Sequence, residues 1–234
     1  MQEIFDNYLQ NTLNKVADQE DKKMSKFRFN YRQFFPHDRS SRLLDVGVGR
    51  GEMLRCMREL GYSNILGIDI SSSTITHCSA YGLPCEQVRD STQWLLQHKD
   101  AFDMITLLDV LEHVPKKEVI SILCALKDSL HTGGRLVIQV PNMQAPDCSL
   151  HRYGDFTHET GFTEHSLGQV LMVAGFPEGK FFPFEEWCEQ HYRARFGKML
   201  RSLYWKWIRA RRALNTTPNP TILSPVFFTV VEKR

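Results

Sequence analysis

Residues 43–51 read Leu43-Leu44-Asp45-Val46-Gly47-Val48-Gly49-Arg50-Gly51, an apolar run with an acid near its end and glycine at every second position after it. Such a run reads as a strand passing directly into a tight turn. A ligand can approach that backbone closely, because side chains are absent where the turn is sharpest. The helix that follows would aim its unpaired N–H groups and positive dipole end at the ligand. Spacing restricts what the ligand is. A dinucleotide fingerprint, G-x-G-x-x-G, needs its third glycine at position 52, which holds Glu52. The pattern is instead Asp-x-Gly-x-Gly-x-Gly. A carboxylate at the strand end repels a pyrophosphate and accommodates a cation.

Three further stretches follow in order. Asn64-Ile65-Leu66-Gly67-Ile68-Asp69-Ile70 is a second apolar run ending in an acid. Asp69 stands close to the offset at which a carboxylate reaches ribose hydroxyls at the neighbouring strand end, and its two oxygens can accept from both hydroxyls. A helix cap before Ser71-Ser72-Ser73 is an equal reading. Residues 102–115 read FDMITLLDVLEHVP, and residues 130–142 read LHTGGRLVIQVPN. Together the four stretches resemble the class I S-adenosylmethionine-dependent methyltransferases, whose corresponding patterns run roughly FDxVxxxxVLEHV and LxxGGxLxxxxPN. Their cofactor carries a sulfonium and an ammonium.

The resemblance implies an α/β, Rossmann-like, doubly wound seven-stranded sheet, mostly parallel with the last strand antiparallel, and helices on both faces. It implies S-adenosyl-L-methionine as cofactor, held by Asp45, Gly47, Gly49, Gly51, Asp69, Ile70, Asp90, Ser91 and Leu108. Asp90 would bind the adenine amino group or cap the helix containing Trp94, and the two readings are compatible. An N-terminal helical stretch often covers the cofactor in such proteins. Arg28 is placed to reach the cofactor carboxylate, with Arg32 an equal candidate and plain solvation of both a third reading. Glu112 and His113 read as cofactor-side or structural residues.

The positioning elements follow from periodicity. Strands are expected near 42–46, 64–69, 84–88, 102–108, 135–140, 179–184 and 225–232. Helices are expected near 51–60, 72–80, 91–97, 116–130, 165–174 and 188–212. Alternating strands and helices call for a parallel sheet covered on both faces. Residues 1–35 read as one or two helices, with Ile4, Tyr8, Leu9, Leu13 and Val16 at helical spacing. The whole chain reads as one methyltransferase domain: a helical cap over 1–38, a core over 39–184, a basic helical insertion over 185–220 and the last strand over 221–234.

Composition agrees. A chain of 234 residues with 42% hydrophobic content suits one domain with a sizeable core. No apolar run approaches a membrane span, and the first residues lack a secretory layout, so the expected compartment is the cytoplasm. The six cysteines show neither C-x-x-C nor zinc spacing and read mostly as buried thiols.

A loop rich in polar chemistry follows the fifth strand: His151-Arg152-Tyr153-Gly154-Asp155-Phe156-Thr157-His158-Glu159. With Phe162-Thr163, Ser166-Leu167 and Ala174-Gly175-Phe176 it resembles methyltransferases of bacterial polysaccharide gene clusters. Histidine is the side chain best suited to act as a base near neutral pH. His158 is therefore expected as base or substrate orienter, supported by Asp155 and Tyr153. The competing reading has Thr157, His158 and Glu159 stitching the loop to the domain. A metal held by Asp155, His158 and Glu159 is disfavoured, because three such close loop positions seldom complete a coordination shell, and no metal is expected.

Charge is uneven. Residues 188–214 carry +7 and the remainder −5. Within 188–212, Tyr192, Phe196, Met199, Leu200, Leu203, Tyr204, Trp207 and Ile208 recur at three- and four-residue steps among arginines and lysines. The stripe reads first as packed on the domain, and otherwise as a peripheral membrane contact or a lid over an anionic substrate. No nucleic-acid recognition fold is evident. The expected acceptor is a glycan, in surface polysaccharide assembly at the inner face of the membrane. The alternatives are a small molecule or quinone precursor, and a non-catalytic cofactor-binding module.

Overall fold

The computed structural model describes residues 20–186 and 192–234. Helix α1 (Glu20–Tyr31) runs into a 3-10 turn (Arg32–Phe34) and then β1 (Leu43–Val46). Alternation follows: α2 (Glu52–Glu59), β2 (Ile65–Asp69), α3 (Ser72–Ala80), β3 (Cys85–Gln87), α4 (Ser91–Leu96) and β4 (Phe102–Leu108). A 3-10 turn (Leu111–His113) leads to α5 (Val119–Ser129) and β5 (Leu130–Pro141). The chain closes with α6 (Cys148–Tyr153), α7 (Glu164–Val173), β6 (Lys180–Pro183), α8 (Tyr192–Leu214) and β7 (Val226–Glu232). The expected helical residues Ile4, Tyr8, Leu9, Leu13 and Val16, and the start of the basic helix at 188–191, lie outside the described residues.

The seven strands form one sheet in the order β3-β2-β1-β4-β5-β7-β6. Strands β1 to β5 pair in parallel, and β7 runs antiparallel to both β5 and β6. This is the Rossmann-like, doubly wound sheet that the sequence implied. Successive side chains on a strand point to opposite faces. Leu44, Ile105, Leu136 and Ile138 therefore join one core with α4, α5 and α7. Leu43, Met104 and Val137 join the other, with α1 and α2.

Two element boundaries differ from expectation. Strand β5 begins at Leu130 rather than near 135, since Leu130 already pairs with Phe102 before the register shifts. Helix α6 was not anticipated. It has six residues, none of them buried, and so leaves no apolar period to read.

Helix α1 is fixed by aromatic packing and one polar chain. Phe27 and Tyr31 meet Phe184 at ring separations of 6.4 and 6.0 Å, and Tyr31 meets Phe228 of β7 at 4.9 Å. The buried Tyr31 hydroxyl donates to Gln139 Oε1, and Gln139 Nε2 donates to Asp109 Oδ2 at 2.8 Å. The chain thus links α1 through β5 to the residue leaving β4. Tyr31→Phe keeps the ring but leaves the Gln139 acceptor buried without that donor. Urea unfolding should show a loss of about 1–3 kcal/mol.

Candidate active site

A cavity of about 630 Å³ opens at the carboxyl ends of β1, β2 and β4, where the strand order reverses between β1 and β4. Open α/β sheets bind ligands at that reversal. Asp45, Gly47, Gly49, Asp69, Ile70, Asp90, Ser91 and Leu108 all line it, together with Lys23, Phe27, Glu52, Arg89, Asp109, His113 and Glu118.

The turn after β1 depends on its glycines. Gly47 has φ +78°, and a Cβ there would lie 2.2 Å from Val110 Cγ2. Any other residue would be strained in backbone and in space. Gly51 also has a positive φ, but it does not line the cavity. Its missing Cβ leaves room for Leu83 and Cys78 behind the turn, at 2.4 and 3.2 Å. Gly51 stands at the N-cap of α2.

Several carboxyl groups crowd the cavity and the segment leaving β4. Asp45 is buried beside Thr106, its neighbour in register, whose hydroxyl donates to Asp45 Oδ1. Burial raises the Asp45 carboxyl from 3.8 to about 7. Asp69 accepts from Ser71 N at 2.8 Å and Gly49 N at 3.3 Å, and burial raises it too. The cap of α3 is Ser71, so Asp69 is not occupied as a helix cap. Asp90 does cap α4, accepting from Gln93 N at 2.9 Å, while also lining the cavity. Asp109 is exposed toward the cleft and sits at φ +54°, where aspartate is among the better tolerated residues. Glu112 is raised well above the carboxylate range by burial and by Asp109.

The basic residue of α1 in the cavity is Lys23, which pairs with Glu52 at 3.3 Å. Arg28 instead pairs with Glu59 at 3.3 Å on the outside of the helix, and this corrects its expected reach to the cofactor. The reason is helical phase. Lys23, Phe27 and Tyr31 share one face, and Arg28 is rotated by about 100° from it. The spacing 23-27-31 was the available signal. Glu52, the residue that broke the dinucleotide pattern, is the acid that receives Lys23.

The polar loop lies beside the end of β4. The backbone N–H groups of Glu159 and Thr160 donate to the Glu112 carbonyl at 2.8 and 3.0 Å. Thr157 Oγ1 donates to Asp155 Oδ1 at 2.6 Å and lies 2.8 Å from His113 Nδ1. Thr157 has one hydroxyl proton, so its oxygen accepts from His113 Nδ1–H. Burial and the nearby His158 lower His113 to about 4. The two imidazoles meet edge to face at 4.7 Å, and His158 Nδ1 donates to the His151 carbonyl. Arg152 holds the carbonyls of His158 and Glu159. The loop is therefore stitched to the domain, and the stitches present His158 beside His113. Asp155 supports this arrangement through Thr157. Tyr153 does not, which corrects that expectation. It is 79% exposed, with Arg152 stacked 5.4 Å from its ring. The loop triad Asp155, His158 and Glu159 is not what the fold gathers either. Ligand atoms of Glu112, His113 and His158 lie within 4.8 Å of one another.

Helix α8 differs from its packed expectation. Ala194 and Ile208 are its buried residues, whereas Phe196, Leu203 and Trp207 are each more than half exposed. Arg201 grips Glu185 at 2.8 and 3.0 Å, Arg209 reaches the carbonyls of Pro220 and Thr221, and Arg212 reaches that of Gln144. Arginines, rather than the apolar stripe, attach the helix. Among the described residues no helix is long and apolar enough to cross a membrane.

Comparison with known proteins agrees with this geometry. The methyltransferase-domain family profile matches residues 18–177, and the chain belongs to that family. Its fold and cleft are those of the class I, S-adenosylmethionine-dependent methyltransferases. The chain is 32% identical over 106 residues to a ubiquinone biosynthesis O-methyltransferase of Nitrosococcus oceani, covering 43% of this chain and 44% of that protein. It is 30% identical over 110 residues to the protein of the same name from Actinobacillus pleuropneumoniae, covering 43% and 46%. The chain thus spans less than half the length of these curated relatives. A SAM-dependent methyltransferase from Archaeoglobus fulgidus superposes with a TM-score of 0.67 over 94% of this chain and 99% of that one, at 18% identity. A chain from the complex between the Haloferax volcanii Trm112 methyltransferase activator and the putative methyltransferase gives 0.70 over 98% and 97%, at 14% identity.

The cleft fits S-adenosylmethionine. Its volume suits a nucleoside-sized ligand, the Gly47 turn leaves backbone exposed, and Asp45, Asp69 and Asp90 line it at the strand ends. The Asp45 value gives a test. The folded carboxyl, at about 7 against 3.8, holds its proton more tightly than the unfolded one. Its cost to stability is absent below about pH 4, grows up to about pH 7 and is constant above. Asp45→Asn should therefore stabilise the ligand-free chain at pH 8, by up to about 4 kcal/mol, and leave it unchanged near pH 4. Urea titrations at both pH values check this.

Proposed function

We propose that this methyltransferase O-methylates a sugar hydroxyl during bacterial surface polysaccharide biosynthesis, working in the cytoplasm at the inner face of the membrane. The observation that carries the reading is the His113–His158 pair, set by the polar loop at the end of β4 beside the cofactor cleft.

S-adenosylmethionine, when bound, supplies an activated methyl group for in-line displacement by the acceptor oxygen. Asp45, Gly47 and Gly49 hold its amino-acid end, with Lys23 in place of Arg28 toward its carboxylate. Asp69, at the cleft end of β2, accepts from the ribose hydroxyls. Ile70, Leu108, Asp90 and Ser91 bound the adenine side. On the acceptor side, His158 takes the hydroxyl proton while Asp155, through Thr157, keeps the neighbouring His113 in one tautomer. Exposed Tyr153 and Phe156 stand on the same loop and suit a sugar face.

The exposed aromatic and basic face of α8 supports a peripheral contact with anionic lipid, which suits an acceptor carried on a lipid. Likeness to the ubiquinone O-methyltransferases favours a second reading, in which the acceptor is a quinone precursor. Both readings use the same cofactor cleft.

Calorimetry with S-adenosylmethionine should show binding by the wild type and its collapse in Asp69→Ala. His158→Ala should lower turnover about 100-fold and leave cofactor affinity nearly intact. Equal loss of both would reduce the loop to a structural part. A lipid-linked glycan that accepts methyl groups, where a catechol quinone precursor does not, separates the two acceptors. In flotation assays the chain should rise with phosphatidylglycerol vesicles and not with phosphatidylcholine. A Phe196→Ser, Trp207→Ser double variant should stay at the bottom.

A further inference from the structure

A second cavity, of about 1000 Å³, lies against another face of α1. Its walls are α1 with the 3-10 turn after it, the segment leading into β1, and Leu60 at the end of α2. It shares no lining residue with the cofactor cleft. Residues 35–39 precede β1, so this cavity sits toward the amino end of the sheet, away from the strand ends that hold the cleft. Helix α1 faces the cleft with Lys23 and Phe27, and the second cavity with Arg28, Phe29 and Arg32. The helical phase that carries Arg28 away from the cofactor delivers it here.

The charge of this cavity is one-sided. Arg28, Arg32, His37 and Arg39 line it, and among the described residues no carboxyl group does. Arg28 and Arg32 stand four residues apart on one helical face, where like charges repel. Two neighbouring acids do little to cancel them. Asp38 is turned to Ser40, accepting from its backbone N–H at 2.9 Å and its hydroxyl at 2.8 Å. Glu59 pairs with Arg28 at 3.3 Å, but both side chains are nearly half exposed, where such a pair is weak. The Arg32 guanidinium makes no hydrogen bond or ion pair among the described residues. Arg39 is braced. Its guanidinium carbon lies 4.6 Å from the centre of the Tyr62 ring, and it donates to the Tyr62 hydroxyl, which donates in turn to the Pro36 carbonyl. Tyr62 is buried and packs on Phe35 at 5.5 Å, so the floor beneath Arg39 is fixed. That contact uses one N–H of Arg39, and a guanidinium has five.

We propose that this cavity binds the phosphate group of a phosphorylated ligand. A phosphoryl group brings about two negative charges and three acceptor oxygens, and forked guanidinium donors match those oxygens in pairs. Phe29, 56% exposed, gives the uncharged part of the ligand an apolar wall together with Pro36 and Leu60. A soluble phosphorylated compound and a phospholipid headgroup offer the same chemistry. The site stands apart from the methyl-transfer reading, because the two cavities have no residue in common.

The test uses the full chain and inorganic pyrophosphate, titrated by calorimetry in phosphate-free buffer. Wild type should bind pyrophosphate at a single site. Arg32→Glu should weaken that binding at least about tenfold. Lys99→Glu makes the same change of net charge at an exposed position after α4, on the opposite face of the sheet, and should leave the affinity unchanged. S-adenosylhomocysteine affinity near the wild-type value in Arg32→Glu shows that the variant is folded. Flotation of Arg32→Glu with phosphatidylglycerol vesicles separates the two sources. Undiminished flotation assigns the cavity to a soluble phosphorylated compound, and lost flotation assigns it to a lipid headgroup. Absence of pyrophosphate binding by wild type would overturn the proposal. So would unchanged affinity in folded Arg32→Glu, or equal weakening in Lys99→Glu.

Discussion

The contact between Gly47 and Val110 is the constraint on which the rest of the site depends. A Cβ on Gly47 would overlap Val110 Cγ2, so the turn leaving β1 presses directly on the segment leaving β4. The first turn carries Gly47, Val48 and Gly49, which line the cleft. The second carries Asp109, Glu112 and His113. Their contact therefore fixes the two sides of the cleft relative to each other. Parallel strands β1 and β4 are adjacent only because the sheet order reverses between them, and a methyl donor and its acceptor must meet within bonding reach.

Around this contact the protein gathers acid: Asp45 and Glu112 are buried, Asp69 is half-buried and Asp109 is exposed toward the cleft. Asp45, Asp69 and Glu112 are all raised from their ordinary values, each chiefly by burial. Desolvation disfavours every one of these charges, and their proximity adds repulsion. Such an arrangement favours the neutral form of these acids in the ligand-free fold.

Two peripheral elements complete the site in different ways. Helix α1 is attached by an aromatic cluster and by the chain from Tyr31 through Gln139 to Asp109, so its position over the cleft is coupled to the acid at the end of β4. Helix α8 is attached by arginines that reach carbonyls and Glu185, leaving its aromatic stripe outward. Amphipathic spacing alone could not distinguish these cases. A stripe at three- and four-residue steps says that one face is apolar, and does not say what covers it.

Local chemistry was legible in the sequence wherever one strand and its turn carried it. Asp45 with its glycines, Asp69 and the LEHV stretch could be read directly, because the acid, the turn and the helix start are consecutive in the chain. The central strands β1 and β4 were legible too, since burial on both faces writes continuous apolar runs. Helix phase decided the exchange of Arg28 for Lys23, and packing behind the turn decided that Gly51 faces Leu83 and Cys78 instead of the cleft. The exposure of the α8 stripe and the meeting of His158 with Glu112 and His113 were settled by contacts between segments far apart in the chain. Sequence by itself determined which strands form and which acids end them, because those depend on neighbours along the chain. Tertiary structure alone decided which side chains share a volume, because burial, desolvation and hydrogen-bond partners exist only once the loops have docked.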